Sequence, residues 1–80
     1  MIITEQKLSI GRDTESTMQV VDVEVRRNHA EIRLLNTSFV LIDLQSTNGT
    51  FVNGQRVQEH TLQNFDQIKI GSTILLFQKS

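Results

Sequence analysis

The sequence predicts an all-β fold, a small antiparallel sandwich or barrel with loops at one end. Apolar residues alternate with period two in three segments, at Leu8 and Ile10, at Ile32 and Leu34, and at Ile68 and Ile70. This period is typical of strands that have one face on a core. Asn53 and Gly54 separate two short apolar runs and both tolerate positive φ, so they predict a type I′ hairpin. Because helical patterns are weak and the strands are evenly spaced, a sandwich or barrel is favoured.

Two further segments are apolar without alternation. "SFVLIDL", from Ser38 to Leu44, is rich in β-branched and aromatic residues, which predicts a strand covered on both sides. "TILLFQ", residues 73–78, predicts a second strand of the same kind. With the segments around them, we expect seven or eight short strands.

Composition limits the class of function. The chain has 80 residues and no cysteine, which predicts one domain over residues 1–80 without disulfides or thiolate metal sites. A net charge of −1 argues against an overall nucleic-acid or membrane-surface binder, so any anion site must be local. No segment approaches the ~20 apolar residues of a membrane span, so we expect no membrane insertion and a cytoplasmic domain.

Arginines occur in two of the predicted connections. Arg12 follows Gly11 at the end of the first clear strand, where its five-donor guanidinium is well placed to bind a carboxylate or phosphate. Arg26 and Arg27 lie shortly before His29 in a second connection. Taken alone, Arg12 is better explained as a solvated turn charge, and for Arg26 and Arg27 both interpretations stay open.

His29 precedes an alternating strand, and the only other histidine, His60, has no carboxylate at ligand spacing. A structural histidine bonded to nearby backbone is therefore favoured over a general base or metal ligand, and we expect no metal or cofactor.

The segment "STNGT" places hydroxyls and an amide around Gly49. Such a turn can direct donors outward, although a plain polar turn explains it nearly as well. Asp43 and His29, with either Ser46 or Ser38, could suggest a hydrolase, but no nucleophile elbow accompanies them. We therefore expect no enzymatic activity.

The order of these blocks is more specific than any one of them. The chain contains Gly11-Arg12, then "VRRNHAEI", then "LIDLQSTNGTFVNGQRV", then "FDQIKIG". Together they closely resemble the forkhead-associated (FHA) domain, a phosphothreonine-peptide-binding module. The resemblance extends from Leu8 to Phe77, and its most specific part is "DLQSTNGTFVNG", from Asp43 to Gly54.

The resemblance implies a β-sandwich that binds a phosphothreonine-containing protein or peptide through loops at one end. It implies the following roles: phosphate contact by Arg12, assistance by Thr47, a hydrogen bond to the peptide backbone by Asn48, a basic side chain beside the phosphate at Arg27, and loop-shaping by Gly11, His29 and Gly49. Few residues precede "KLSIG". We therefore expect a domain short by an N-terminal strand, either a minimal version or one completed by neighbouring sequence in a larger chain.

The sequence departs from the family pattern at Arg26, where the family usually has a serine that donates to a phosphate oxygen. The guanidinium either binds the phosphate itself or, because of its length, directs its donors past the pocket. We predict a non-catalytic, phosphothreonine-dependent protein-interaction module for signalling. The alternative is an FHA-like assembly domain that docks partners independently of phosphorylation.

Overall fold

The computed structural model describes residues 7–78, which form nine β-strands and no helix. They are β1 (Lys7–Gly11), β2 (Met18–Gln19), β3 (Ala30–Leu35), β4 (Ser38–Asp43), β5 (Thr50–Val52), β6 (Gln55–Val57), β7 (Glu59–Thr61), β8 (Gln67–Ile70) and β9 (Thr73–Leu76). The all-β prediction is confirmed. There are more strands than the seven or eight expected, because β2 and β7 are short and lack an apolar pattern. The predicted shortage of an N-terminal strand concerns residues outside the described range.

The strands form two sheets that enclose one core. One sheet has the order β2-β1-β3-β4-β7 and the other has the order β6-β5-β8-β9. Every pairing is antiparallel except that of β1 with β2. The buried apolar cluster draws on both sheets and on the loops: Ile10, Val20, Val25, Ala30, Leu41, Val52, Leu62, Ile68 and Ile70. This arrangement confirms the predicted β-sandwich. Within the described part of the chain, no helix is long and apolar enough to cross a membrane.

Burial along individual strands tests the apolar patterns. On β8, Ile68 and Ile70 are 2% and 0% exposed, as the period of two predicts. On β4, the neighbours Val40 and Leu41 are both buried, so this strand is covered on both sides as predicted. The same prediction for "TILLFQ" is wrong, because Ile74 on β9 remains 62% exposed. Strand β9 lies at the edge of its sheet, and only one of its faces meets the core.

The turn between β5 and β6 has the predicted geometry. Val52 pairs with Gln55, which leaves Asn53 and Gly54 as the two turn residues. Their φ angles are 50° and 88°, and positive φ at both positions is the requirement of a type I′ turn. The hairpin register also places Arg56 opposite Phe51.

Three loops gather at one end of the sandwich, called the loop end below. The first loop (residues 12–17) follows β1, the second loop (residues 20–29) follows β2, and the third loop (residues 44–49) follows β4. The backbone joins the second loop to the third, since the Leu44 N–H donates to the His29 carbonyl over 2.9 Å. Residues from distant parts of the sequence are thereby brought to one end of the sandwich.

Candidate functional site

The first and second loops touch through the backbone at Gly11. A Cβ at this position would lie 2.0 Å from the Arg27 carbonyl oxygen, a distance that only glycine avoids. Directly after it, the Arg12 N–H donates to the Arg26 carbonyl over 2.9 Å. Gly11 thus permits the close approach that sets the exposed Arg12 beside the arginines of the second loop.

His29 joins the second loop to the third from inside the protein. Its side chain is fully buried, and Nδ1 accepts the Arg26 backbone N–H over 3.2 Å. Because Nδ1 is an acceptor, the proton is assigned to Nε2, which lies 2.9 Å from the Gly49 carbonyl oxygen and donates to it. Both ring nitrogens therefore have backbone partners, and the ring fixes the relative position of two loops.

Asp43 organises the third loop. Its carboxylate accepts hydrogen bonds from the Ser46 hydroxyl and backbone N–H and, over 2.7 Å, from the Thr50 hydroxyl. Burial raises the pKa of Asp43, but the hydrogen bonds from Ser46 and Thr50 outweigh it and hold the pKa below its ordinary value. The Ser46 oxygen in turn accepts the Gly49 N–H over 3.1 Å. This network fixes the loop and does not include the imidazole of His29, so no Ser-His-Asp triad forms.

Thr47 and Asn48 are exposed on the loop that Asp43 holds. The Asn48 amide nitrogen donates to the Glu24 carbonyl over 2.9 Å, which makes a second link between the third and second loops. Within residues 7–78, neither the Thr47 hydroxyl nor the Asn48 amide oxygen has a hydrogen-bond partner. Both groups remain available to a ligand.

The adjacent arginines have different environments. One guanidinium nitrogen of Arg26 donates to the Gln45 carbonyl over 2.9 Å, so this side chain bridges the second and third loops. Arg27 lies 3.6 Å from the Asp13 carboxylate, with 75% of its side chain exposed. Surface ion pairs of this kind contribute only ~0–1 kcal/mol. Arg26 is therefore held by the structure, whereas Arg27 can exchange its partner at little cost.

A profile of the FHA domain family matches residues 8–71. The chain belongs to the FHA domain family. Among its relatives is the glycogen accumulation regulator GarA of Mycobacterium tuberculosis, which is 44% identical over 69 residues. This alignment covers 86% of the chain but 43% of GarA, so the chain spans less than half the length of that relative.

Two solved structures have the same fold. One, from a study of phosphothreonine-dependent FHA domain interactions, has a TM-score of 0.91 and 36% identity, and the match covers 98% of this chain and 81% of that one. Another is EmbR of Mycobacterium tuberculosis in complex with a low-affinity phosphopeptide, with a TM-score of 0.90 and 31% identity over 95% of this chain and 20% of EmbR. The resemblance inferred from the sequence is confirmed.

Arg56 is an additional cation at the loop end that sequence reasoning missed. One guanidinium nitrogen donates to the Ser46 carbonyl oxygen over 3.4 Å. The side chain also packs closely on Gly49, since a Cβ added there would lie only 2.8 Å from Nε of Arg56. The hairpin predicted at Asn53-Gly54 could have placed this residue opposite Phe51. It could not have predicted the direction in which the long side chain extends. Arg56 joins Arg12, Arg26 and Arg27, so four of the seven lysines and arginines among residues 7–78 are at the loop end.

Asp22 connects the second loop to the turn between β8 and β9. The sequence did not predict this contact. Its Oδ2 accepts the Ser72 hydroxyl over 2.7 Å and the Ser72 N–H over 2.9 Å, while Oδ1 accepts the Glu24 N–H. The Ser72 hydroxyl and then its backbone N–H lower the pKa of Asp22 to about 2. The β8–β9 turn is thus a fourth segment that contacts the loop end of the FHA domain.

The lowered pKa predicts how this link responds to acid. A depressed carboxylate pKa contributes stability above the unfolded value of about 4, and that contribution is lost as pH falls through the folded value. We expect the Ser72 amide NMR signal to keep its position down to pH near 3 and to move with a midpoint near the Asp22 pKa of about 2. Asp22→Asn should remove this transition. A midpoint at the ordinary carboxylate pKa would contradict the contact.

Proposed function

We propose that this FHA domain is a non-catalytic interaction module that captures phosphothreonine-containing segments of other proteins at its loop end. The observation that carries the proposal is the joining of three loops that place Arg12, Arg26 and Arg27 near the polar side chains of Thr47 and Asn48. Arg56 of β6 adds a fourth guanidinium at the same end. Guanidinium groups match the geometry and charge of phosphate oxygens. The solved structure from the study of phosphothreonine-dependent FHA domain interactions and the complex of EmbR with a phosphopeptide support this function over phosphate-independent docking.

Within this proposal different side chains bind the phosphate and the peptide backbone of the ligand. Arg12 supplies the main hydrogen bonds to the phosphate, from a charged donor, and the Thr47 hydroxyl adds one from an uncharged donor. The Asn48 side chain, with one N–H held by Glu24, offers its amide oxygen and second N–H to the peptide backbone. Arg27 adds a cation beside the phosphate once it leaves Asp13.

Three residues act on the loops and not on the ligand. Gly11 allows the first loop to meet the second, His29 joins the second to the third, and Gly49 accepts the contact with Arg56. The proposal needs no cofactor. We further propose a cytoplasmic location. The domain is also proposed to be part of a larger chain, since the alignment with GarA covers less than half of that protein.

Two peptides that differ only in the phosphate test the proposal. A phosphothreonine peptide should shift the backbone amide NMR signals of Arg12, Thr47 and Asn48, and the unphosphorylated peptide should leave them in place. Signals on the five-stranded sheet, such as that of Arg33, are the internal reference. Equal shifts with both peptides would instead establish phosphate-independent docking.

Arg26 gives a separate prediction, because it stands where the family usually has serine. Its guanidinium is engaged by the Gln45 carbonyl, and a short hydroxyl would reach a phosphate oxygen directly. We expect Arg26→Ser to tighten phosphothreonine-peptide binding by about tenfold. This is the lower end of the ~1.5–3 kcal/mol of one hydrogen bond to a charged group, because one positive charge is lost in exchange. Titrations at two salt concentrations, with Arg33→Ser as the control for lost charge, measure this. Weaker binding with a flatter salt dependence would show that Arg26 grips the phosphate itself.

A further inference from the structure

The outer face of the four-stranded sheet is a second surface with unusual composition. The inward positions of its strands are filled by Val52, Ile68 and Ile70, so alternate residues point away from the core. The outward residues are Phe51 on β5, Arg56 on β6, Gln67 and Lys69 on β8, and Ile74 and Leu76 on β9. Ile74 and Leu76 are 62% and 54% exposed. This face therefore presents apolar side chains beside cations.

A depression of about 350 Å³ lies on this face, lined by Phe51, Gly54, Gln67, Lys69 and Ile74. Phe51 and Ile74 supply its apolar walls on strands that flank β8. Gly54 lies in the turn between β5 and β6, at the end of β5 opposite the third loop. It has no side chain that would close the depression. The volume is sufficient for one or two side chains of a partner.

The charge of the depression indicates what it would accept. Lys69 is exposed and pairs across strands with Phe51 on one side and Ile74 on the other, so its ammonium group lies at the apolar walls. None of the lining residues is acidic, and Lys69 makes no ion pair within the described range. An apolar surface with one unmatched cation is complementary to an apolar side chain next to a carboxylate.

We propose that this depression, the outer depression, is a phosphate-independent docking site for a protein segment that presents an aliphatic side chain beside an aspartate or glutamate. The aliphatic group packs on Phe51 and Ile74, and the carboxylate pairs with Lys69. A partner that carries such a segment and a phosphothreonine engages two surfaces at once. The second contact is then intramolecular, and linked sites of this kind gain about 10²–10⁴ in apparent affinity.

Charge selectivity tests the proposal with short, unphosphorylated peptides of alternating leucine and glutamate or alternating leucine and lysine. The acidic peptide should shift the amide NMR signals of Phe51, Lys69 and Ile74 at several-fold lower concentration than the basic peptide. Lys69→Glu should invert this preference. Lys7→Glu, which changes the same charge on the five-stranded sheet, should leave it unchanged.

The apolar contact is tested in the same titration. Ile74→Ser should weaken binding of the acidic peptide several-fold, whereas Leu35→Ser, at a 49% exposed position on β3, should not. Equal shifts with both peptides, or shifts confined to the loop end, would overturn the proposal. Because the peptides carry no phosphate, these outcomes do not test the phosphothreonine function, which the pair of peptides described under the proposed function tests separately.

Discussion

Replacing Arg12 with alanine is expected to lower the affinity for a phosphothreonine peptide by about 10- to 100-fold. The estimate follows from the ~1.5–3 kcal/mol of a hydrogen bond to a charged group, since each ~1.4 kcal/mol is a factor of ten. The Arg12 side chain is exposed and makes no hydrogen bond or ion pair within residues 7–78, so its removal should leave the fold intact. Calorimetric titration with one phosphopeptide, together with unchanged thermal unfolding, measures both expectations.

Arg33→Ala is the matched control for this prediction. Arg33 is an exposed arginine on β3 that pairs with Glu31 and lies outside the three loops. Its replacement removes the same charge from the chain but should leave peptide affinity within about twofold, because exposed charges beyond a Debye length of ~8–10 Å are screened. If the two variants lost affinity equally, Arg12 would act through net charge and not as a phosphate ligand.

His29→Ala should produce the largest loss of stability among the loop residues. Truncation of a large buried side chain to alanine costs about 2–5 kcal/mol. It also leaves the Gly49 carbonyl and the Arg26 N–H without their partner. A domain of this length has a total free energy of unfolding of only about 4–12 kcal/mol. We therefore expect a variant close to unfolding at room temperature, measured by urea denaturation.

His60→Ala separates this effect from the loss of any histidine. His60 is only partly buried, and its Nε2 lies 3.1 Å from the Asp66 carboxylate at the side of the five-stranded sheet. Loss of one such hydrogen bond costs about 0.5–1.5 kcal/mol. A destabilisation of His29→Ala no larger than this would contradict its role as the buried link between two loops.

The sequence was sufficient for features that depend on side-chain pattern. The burial of Ile68 and Ile70 follows from period two, and the hairpin follows from the preference of Asn53 and Gly54 for positive φ. The family resemblance identified the loops. In each case the deciding property is carried by the residue type itself.

The links between the loops could not be predicted, because most of them end on backbone carbonyls. Asn48 bonds to the carbonyl of Glu24, Arg26 to that of Gln45, and His29 to that of Gly49. Every residue has such an oxygen, so residue identity does not mark which one is used. The D-x-x-S pattern at Asp43 was a detectable signal, since aspartate commonly accepts hydrogen bonds from residues just after it.

The exposed face of β9 shows a different limit. "TILLFQ" has the composition of a strand covered on both sides, but coverage depends on where the strand lies in the sheet. An edge position is a property of the whole topology. Local composition therefore predicted the strand correctly, but it did not predict that one face of the strand is exposed to solvent.

The contact between Asp22 and Ser72 spans 50 positions of the sequence. During synthesis the second loop leaves the ribosome well before Ser72, because chains emerge from the N-terminus at only ~5–20 residues per second. Contacts so distant in sequence must wait for the intervening chain. A nascent chain therefore carries its loop arginines before the Asp22–Ser72 contact can form, and it should become able to bind a partner only after Ser72 has been synthesised.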